Sequence, residues 1–402
     1  MHTHILWLGI VLALGFPFGA RAQGTQRDTA RKTTQVDTIG KNTQPDTSVK
    51  ATQPDTTVKI TFGGFVDGYY AWDFDRPPTI DRSFAGGAPF MTQPARHNEF
   101  NVNLAFIDVK LEGPTVHGRL ALQAGTSVQA NYAGEATIGQ ISGPSLARVM
   151  QEAYGGAKLA EGLWVDGGIF FSHLGMESWI SRDNPTYTRS LVAEYSPYYQ
   201  SGVRLVWTAS SRWTAQLDVV NGWQNISENN SGKGAGVRLD YTLATGATIS
   251  YYNFFSDEAG NRLRTFNGVG GKYAAGSLVL LGEADVGTQS KSAADSGTAT
   301  WWGFQATARV QVTSIVGISG RVERYSDPDQ VLVVTGSFEG LPNPALQANG
   351  GSIGLDVAPQ ARALWRTELR GFWNNARVFW DGTEPTRRKQ DGFIVTSLAV
   401  TF

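Results

Sequence analysis

The chain has 402 residues, 34 basic against 35 acidic, and no cysteine, so disulfides and thiolate metal sites are impossible and no net field argues for a nucleic-acid partner. Mean hydropathy is negative, and no stretch after the leader approaches the ~20 apolar residues of a spanning helix. A membrane-embedded form must therefore be a closed barrel, since only helices and barrels satisfy their own backbone groups in lipid.

Ile5 to Phe18 is a short apolar run broken by Gly9, Gly15 and Pro17 and followed by Ala20-Arg21-Ala22. This is the layout of a secretory signal peptide, with cleavage expected after Ala22. Residues 23–58 repeat a Thr-Gln-x-Asp-Thr unit (Thr25, Thr34, Thr43 and Thr52 begin the copies), each followed by Lys32, Lys41, Lys50 or Lys59. So polar a segment cannot offset its ordering entropy and is expected to be a disordered periplasmic linker. A partner-binding arm is the sharper alternative.

From Lys59 to Phe402 the pattern becomes period two. Ile60, Phe62, Val66, Tyr70 and Trp72 share one face; Val116, Leu120 and Leu122 repeat this, as do Trp302, Phe304, Ala306 and Val310. Phe100, Val102 and Leu104 fall on one parity and Ile107, Val109 and Leu111 on the other, which predicts a bulge near Ala105-Phe106. The turn signals predict an all-β, transmembrane, antiparallel up-and-down barrel of about 16 strands (14–18 allowed), with short periplasmic turns and long extracellular loops. Long and short links alternate without exception in this reading. Short ones include Gly113-Pro114-Thr115 and Ser210-Ser211-Arg212; long ones include 75–97 and 172–198, either able to fold inward. The chain stops on Phe402, closing an amphipathic strand from Ile394, which resembles the C-terminal signal read by the barrel-assembly machinery.

A basic residue on the lipid face costs roughly 2–4 kcal/mol at the midplane, so charges on the other parity must point inward. The predicted pore-lining set is Asp67, Lys110, Glu112, Arg119, Arg204, Asp218, Arg238, Asp240, Glu283, Asp285, Arg309, Arg321, Glu323, Arg366, Glu368 and Arg370, with Asp73, Glu152 and Lys158 on the same parity. Charge implies water, so the interior is expected to be an aqueous channel rather than a packed core. Arg321-x-Glu323 and Arg366-x-Glu368-x-Arg370 form ion ladders, readable as a charge filter or as wall bracing.

From Asp166 the chain carries Asp166-Gly167-Gly168-Ile169-Phe170, Gly175-Met176-Glu177, Asp183-Asn184-Pro185-Thr186-Tyr187-Thr188-Arg189-Ser190, Pro197-Tyr198-Tyr199 and Val220-Asn221-Gly222-Trp223. With Gln151-Glu152-Ala153-Tyr154 upstream and Arg321-Val322-Glu323-Arg324-Tyr325 downstream, this resembles the OmpL-like β-barrel porin family over about Ile60 to Phe402. The resemblance implies an outer-membrane porin and little about its solute.

The expected function is passive diffusion of small hydrophilic solutes or ions. Expected partners are outer-membrane lipid and lipopolysaccharide (Arg387-Arg388-Lys389 being a candidate contact), and a homo-oligomer is allowed. The alternatives are a sealed barrel acting through its external loops and, last, an outer-membrane enzyme. His97, His117 and His173 form no legible dyad with a serine. No cofactor is expected. Asp327-Pro328-Asp329 and Asp257-Glu258 fall short of a dedicated calcium site. Tyr70, Trp72, Trp207, Trp223, Tyr251, Trp302, Trp373 and Trp380 are expected in interfacial belts.

Overall fold

A computed structural model describes residues 57–402 apart from 259, 261, 291–296 and 383. The expected leader and nearly all of the repeat segment lie outside the described residues.

The strands are β1 Lys59–Asp73, β2 Phe100–Glu112, β3 Val116–Ala124, β4 Met150–Ala160, β5 Leu163–Phe171, β6 Tyr199–Ser210, β7 Trp213–Val220, β8 Gly234–Thr242, β9 Thr248–Glu258 and β10 Arg262–Ala275. They continue as β11 Leu278–Ser290, β12 Thr298–Gln311, β13 Val316–Ser326, β14 Ser337–Phe338, β15 Leu341–Pro342, β16 Gln347–Gln360, β17 Ala363–Asn374, β18 Phe379–Asp381, β19 Glu384–Arg388 and β20 Gln390–Thr401. Each barrel strand pairs antiparallel with its sequence neighbour, and β1 pairs with β20 to close the cylinder. The barrel contains β1 to β13, β16, β17 and β20, which makes the sixteen expected; β14–β15 and β18–β19 are hairpins within the last two long loops. Closure removes every sheet edge, the condition for strands in lipid.

The alternation sets the facing. On β12, Trp302, Phe304, Ala306 and Ala308 are exposed, while Gln305 and Thr307 between them are buried. Val322, Ile353, Leu369 and Leu398 continue this greasy outside around the wall. At the seam, Gly64 and Phe402 exchange both backbone hydrogen bonds at 3.0 Å, and a β-carbon on Gly64 would collide with the Phe402 ring.

Three expectations need correction. The β1–β2 register slips opposite Asp67/Gly68, where Leu104 and then Val102 are the partners, so the bulge is at Asn103 and not at Ala105-Phe106. Leu104 turns inward and is buried; alternation alone reports only that the phase changes somewhere between Val102 and Ile107. The rule of long and short links has an exception, since β9 ends at Glu258 and β10 begins at Arg262. The interior is also not simply aqueous. A cluster including Tyr69, Phe84, Phe90, Phe170, Tyr187, Leu191, Trp223, Tyr252, Phe266, Trp301, Phe372 and Phe393 is buried in it. Inward aromatics near the loop end of the strands pack there against segments 74–99 and 172–198, both of which fold inward.

Trp223 therefore leaves the expected belt: it is buried with its ring 5.1 Å from Phe266 and 5.3 Å from Phe254. Trp380 also leaves it, donating to Ser83 Oγ at 3.3 Å within a cap made by the first and the last two long loops. Trp207, Trp302 and Trp373 stay on the outside.

Candidate functional site: the barrel lumen and its inserted loop

Segment 172–198 leaves β5 at the loop end, crosses the lumen and returns to β6. Gly175, at φ 80°, makes the bend that admits it. A single 3-10 turn, Ser181–Asp183, forms its tip, and a short helix α1, Leu191–Glu194, capped by Ser190, forms its return. The tip reaches the opposite mouth: Arg182 donates to Thr401 Oγ1 at 3.1 Å and to the Ala361 carbonyl in the β16–β17 turn.

Three buried arginines hold the loop. Arg321 donates to the Thr188 carbonyl at 2.6 Å, to Thr188 Oγ1 at 2.7 Å and to Thr186 Oγ1 at 2.9 Å. Arg366 donates to the carbonyls of Ser181 at 2.8 Å, Asn184 at 2.8 Å and Thr186 at 3.0 Å, and to Asp356. Arg370 donates to the Arg189 carbonyl at 2.7 Å, to Thr188 Oγ1 at 2.9 Å and to Glu323 at 2.7 Å. The ladder's acids complete the clamp, since Glu368 accepts from Thr188 N and Glu323 from Leu191 N. Guanidinium forks suit this work because one side chain can serve several oxygens at once.

Other predicted residues take hold elsewhere. Arg238 donates to the His173 and Gly175 carbonyls and pairs with Asp240. Glu283 accepts from Met176 N, and Asp67 from Ser181 Oγ. Asp285 accepts from Tyr252, and Asp218 stands 3.5 Å from His173 Nδ1. Arg204 pairs with Asp166, Arg309 with Asp356, and Arg119 with Asp108 and Glu152. Lys110 and Glu112 sit more exposed at the turn-end mouth, against Asp108 and Lys59.

The lumen is therefore lopsided. On β3 to β7, His117, Arg119, Tyr154, Trp164, Arg204 and Gln216 stay half-exposed to the space open at the turn end. Across from them, Glu283, Arg321, Glu368 and Arg370 are buried under the loop. Between that half-exposed wall and the loop end lies a collar of inward amides, Gln123 on β3, Gln151 on β4 and Gln200 on β6, all buried. Trp179 of the inserted loop closes it, donating from Nε1 to Gln123 Oε1 at 3.1 Å.

The sequence reading missed Thr186, Thr188, Trp179 and this collar. The loop did carry a signal, the run Asp183 to Ser190, too dense in small hydroxyl and amide side chains for an ordinary tip. In the outer cap, burial lifts Asp75 to about 6 against the pull of Arg388, which pairs with it. Arg387 donates to Asn343, so the basic run is partly committed within the cap. Asp327 accepts backbone hydrogen bonds from Val331, Leu332 and Val333.

The sequence profile of the family described as "Putative beta-barrel porin-2, OmpL-like" matches residues 59–402. Among solved structures, a Salmonella typhi OmpF in complex with daunomycin superposes with a TM-score of 0.58 at 14% identity, covering 85% of this chain and 97% of that one. Outer-membrane expressed OmpT of Vibrio cholerae gives 0.54 at 8% identity, over 86% and 98%. An anion-selective porin from Comamonas acidovorans gives 0.53 at 10% identity, over 86% and 100%. At such identities the likeness is one of fold. None of the curated proteins matches the sequence. The match and the likenesses are those of an outer-membrane porin barrel.

Proposed function

Because this chain belongs to the OmpL-like β-barrel porin family, we propose that it is a diffusion porin whose throughput is set by the inserted loop. Small hydrophilic solutes cross the outer membrane through the lumen, entering from the loop end and leaving at the turn end. One observation carries the reading. A sixteen-strand cylinder is wide enough for an aqueous lumen, and here that width is taken up chiefly by segment 172–198, clamped by hydrogen bonds and ion pairs to β13 and β17 and packed with segment 74–99 against inward aromatics at the loop end. In the conformation described, the ladder residues Arg321, Arg366 and Arg370 brace that loop instead of facing open solvent. The wall-bracing reading of the ladder is therefore favoured over the charge filter.

The test is conductance. Purified protein added to a planar bilayer should give stepwise currents, and shortening segment 172–198 should enlarge the step. If both proteins are silent at high concentration, the reading passes to a sealed barrel acting through its external loops.

A further inference from the structure

We propose that the route through the barrel follows the inner face of β3 to β6 and is metered by the Gln123–Gln151–Gln200 collar, which admits uncharged, hydroxyl-bearing solutes in preference to ions. The inference rests on the porin reading and names the solute class that reading leaves open.

The collar is the junction between two half-exposed regions. Below it lies the wall of His117, Trp164 and Tyr154, with the His117 and Trp164 rings stacked at 4.3 Å. Above it, Asn131 and Gln224 in the second and fourth long loops are half-exposed and bonded to each other at 3.3 Å. Contacts join the upper region to the collar: Tyr198 N donates to Gln224, the Tyr198 ring meets Trp179 at 5.1 Å, and Trp179 donates to Gln123.

The collar's amides are only partly used. Gln151 donates to Gln123 Oε1 at 3.3 Å, yet its own oxygen has no partner among the described residues. Gln200 engages His173 through one end of its amide, and the other end has none. The Tyr198 hydroxyl and the Asn131 amide nitrogen are also buried without partners. A buried polar group left unpaired is costly, so groups of this kind belong beside water or a passing hydrogen-bonding solute.

The chemistry of the collar is neutral. The charged groups beside it are paired: Glu152 with Arg119, and Arg189, whose guanidinium lies over the Trp179 and Tyr198 rings, with Glu194. An ion crossing here would lose hydration to amides that carry no compensating charge. A hydroxyl-bearing solute would exchange water for amide donors and acceptors at little cost.

Liposome swelling tests this with glucose against gluconate, two solutes of similar size differing in charge. The wild-type protein should pass glucose faster. Gln151→Leu and Gln200→Leu should each slow glucose several-fold, and Trp179→Ala should speed it, with the barrel verified by circular dichroism in detergent. A wild-type preference for gluconate overturns the proposal. So does a wild-type protein that passes glucose at a rate none of the three variants alters. Silence toward every solute and ion removes the porin reading itself and this route with it.

Discussion

Arg370 is buried, and its guanidinium serves Thr188, Arg189 and Glu323 together. Arg370→Met should leave Glu323 without its nearest cation and the loop without two bonds. Removing one member of a buried pair costs about 3–5 kcal/mol, so the variant should unfold at lower denaturant in detergent and conduct more than wild type. A changed stability with unchanged conductance would show that the loop stays in place without this residue. Asp75 provides a second handle. Its carboxyl is held above its ordinary value, at about 6, so the folded cap binds the proton more tightly than the unfolded chain. The cap's stability should therefore be greatest below about pH 4 and decline as pH rises toward about 6. Hydrogen exchange over 379–388 would follow this decline, and Asp75→Asn should flatten it.

At the scale of elements, the inserted loop can be fixed where it lies. A β-carbon on Gly270 of β10 would collide with the Met176 side chain, so cysteines at the two positions are within bridging reach in a chain that has no other. The Met176→Cys/Gly270→Cys protein should conduct less when oxidised and recover under reductant; equal currents in both states would mean that the loop need not move. The strands themselves were legible in the sequence because lipid imposes apolar residues at every second position, and no core packing can replace that demand. The loop was less legible. Hydroxyl and amide residues such as Thr186 and Thr188 look the same whether they meet water or three arginines. The inward aromatics, Tyr252 and Trp301 among them, were masked by aromatic neighbours of the opposite parity, Tyr251 and Trp302. The charges of β13 and β17 lie on the buried parity of their strands, but sequence had no means of showing that a loop from β5 would occupy them.

At the scale of the whole molecule, residues 59–402 include the family match, every barrel strand and the β1–β20 seam. A protein beginning at residue 57 is expected to refold into detergent with the strand content and heat-resistant migration of the longer chain; failure would assign the repeat segment a part in folding. Gly64→Leu should push the Phe402 ring off its seat and lower the yield of closed barrel, whereas Gly64→Ala should do so less.

The tip of the inserted loop touches both ends of the chain's strand order, with Ser181 bonded to Asp67 on β1 and Arg182 to Thr401 on β20. Those docking points stand side by side only after the last strand has zipped onto the first. Seating of the tip is therefore expected to require closure, while the anchors on β8, β11 and β13 do not depend on the seam. A polypeptide arrested one hairpin short should leave the 181–183 tip unseated, so protease cleavage there would report incomplete assembly.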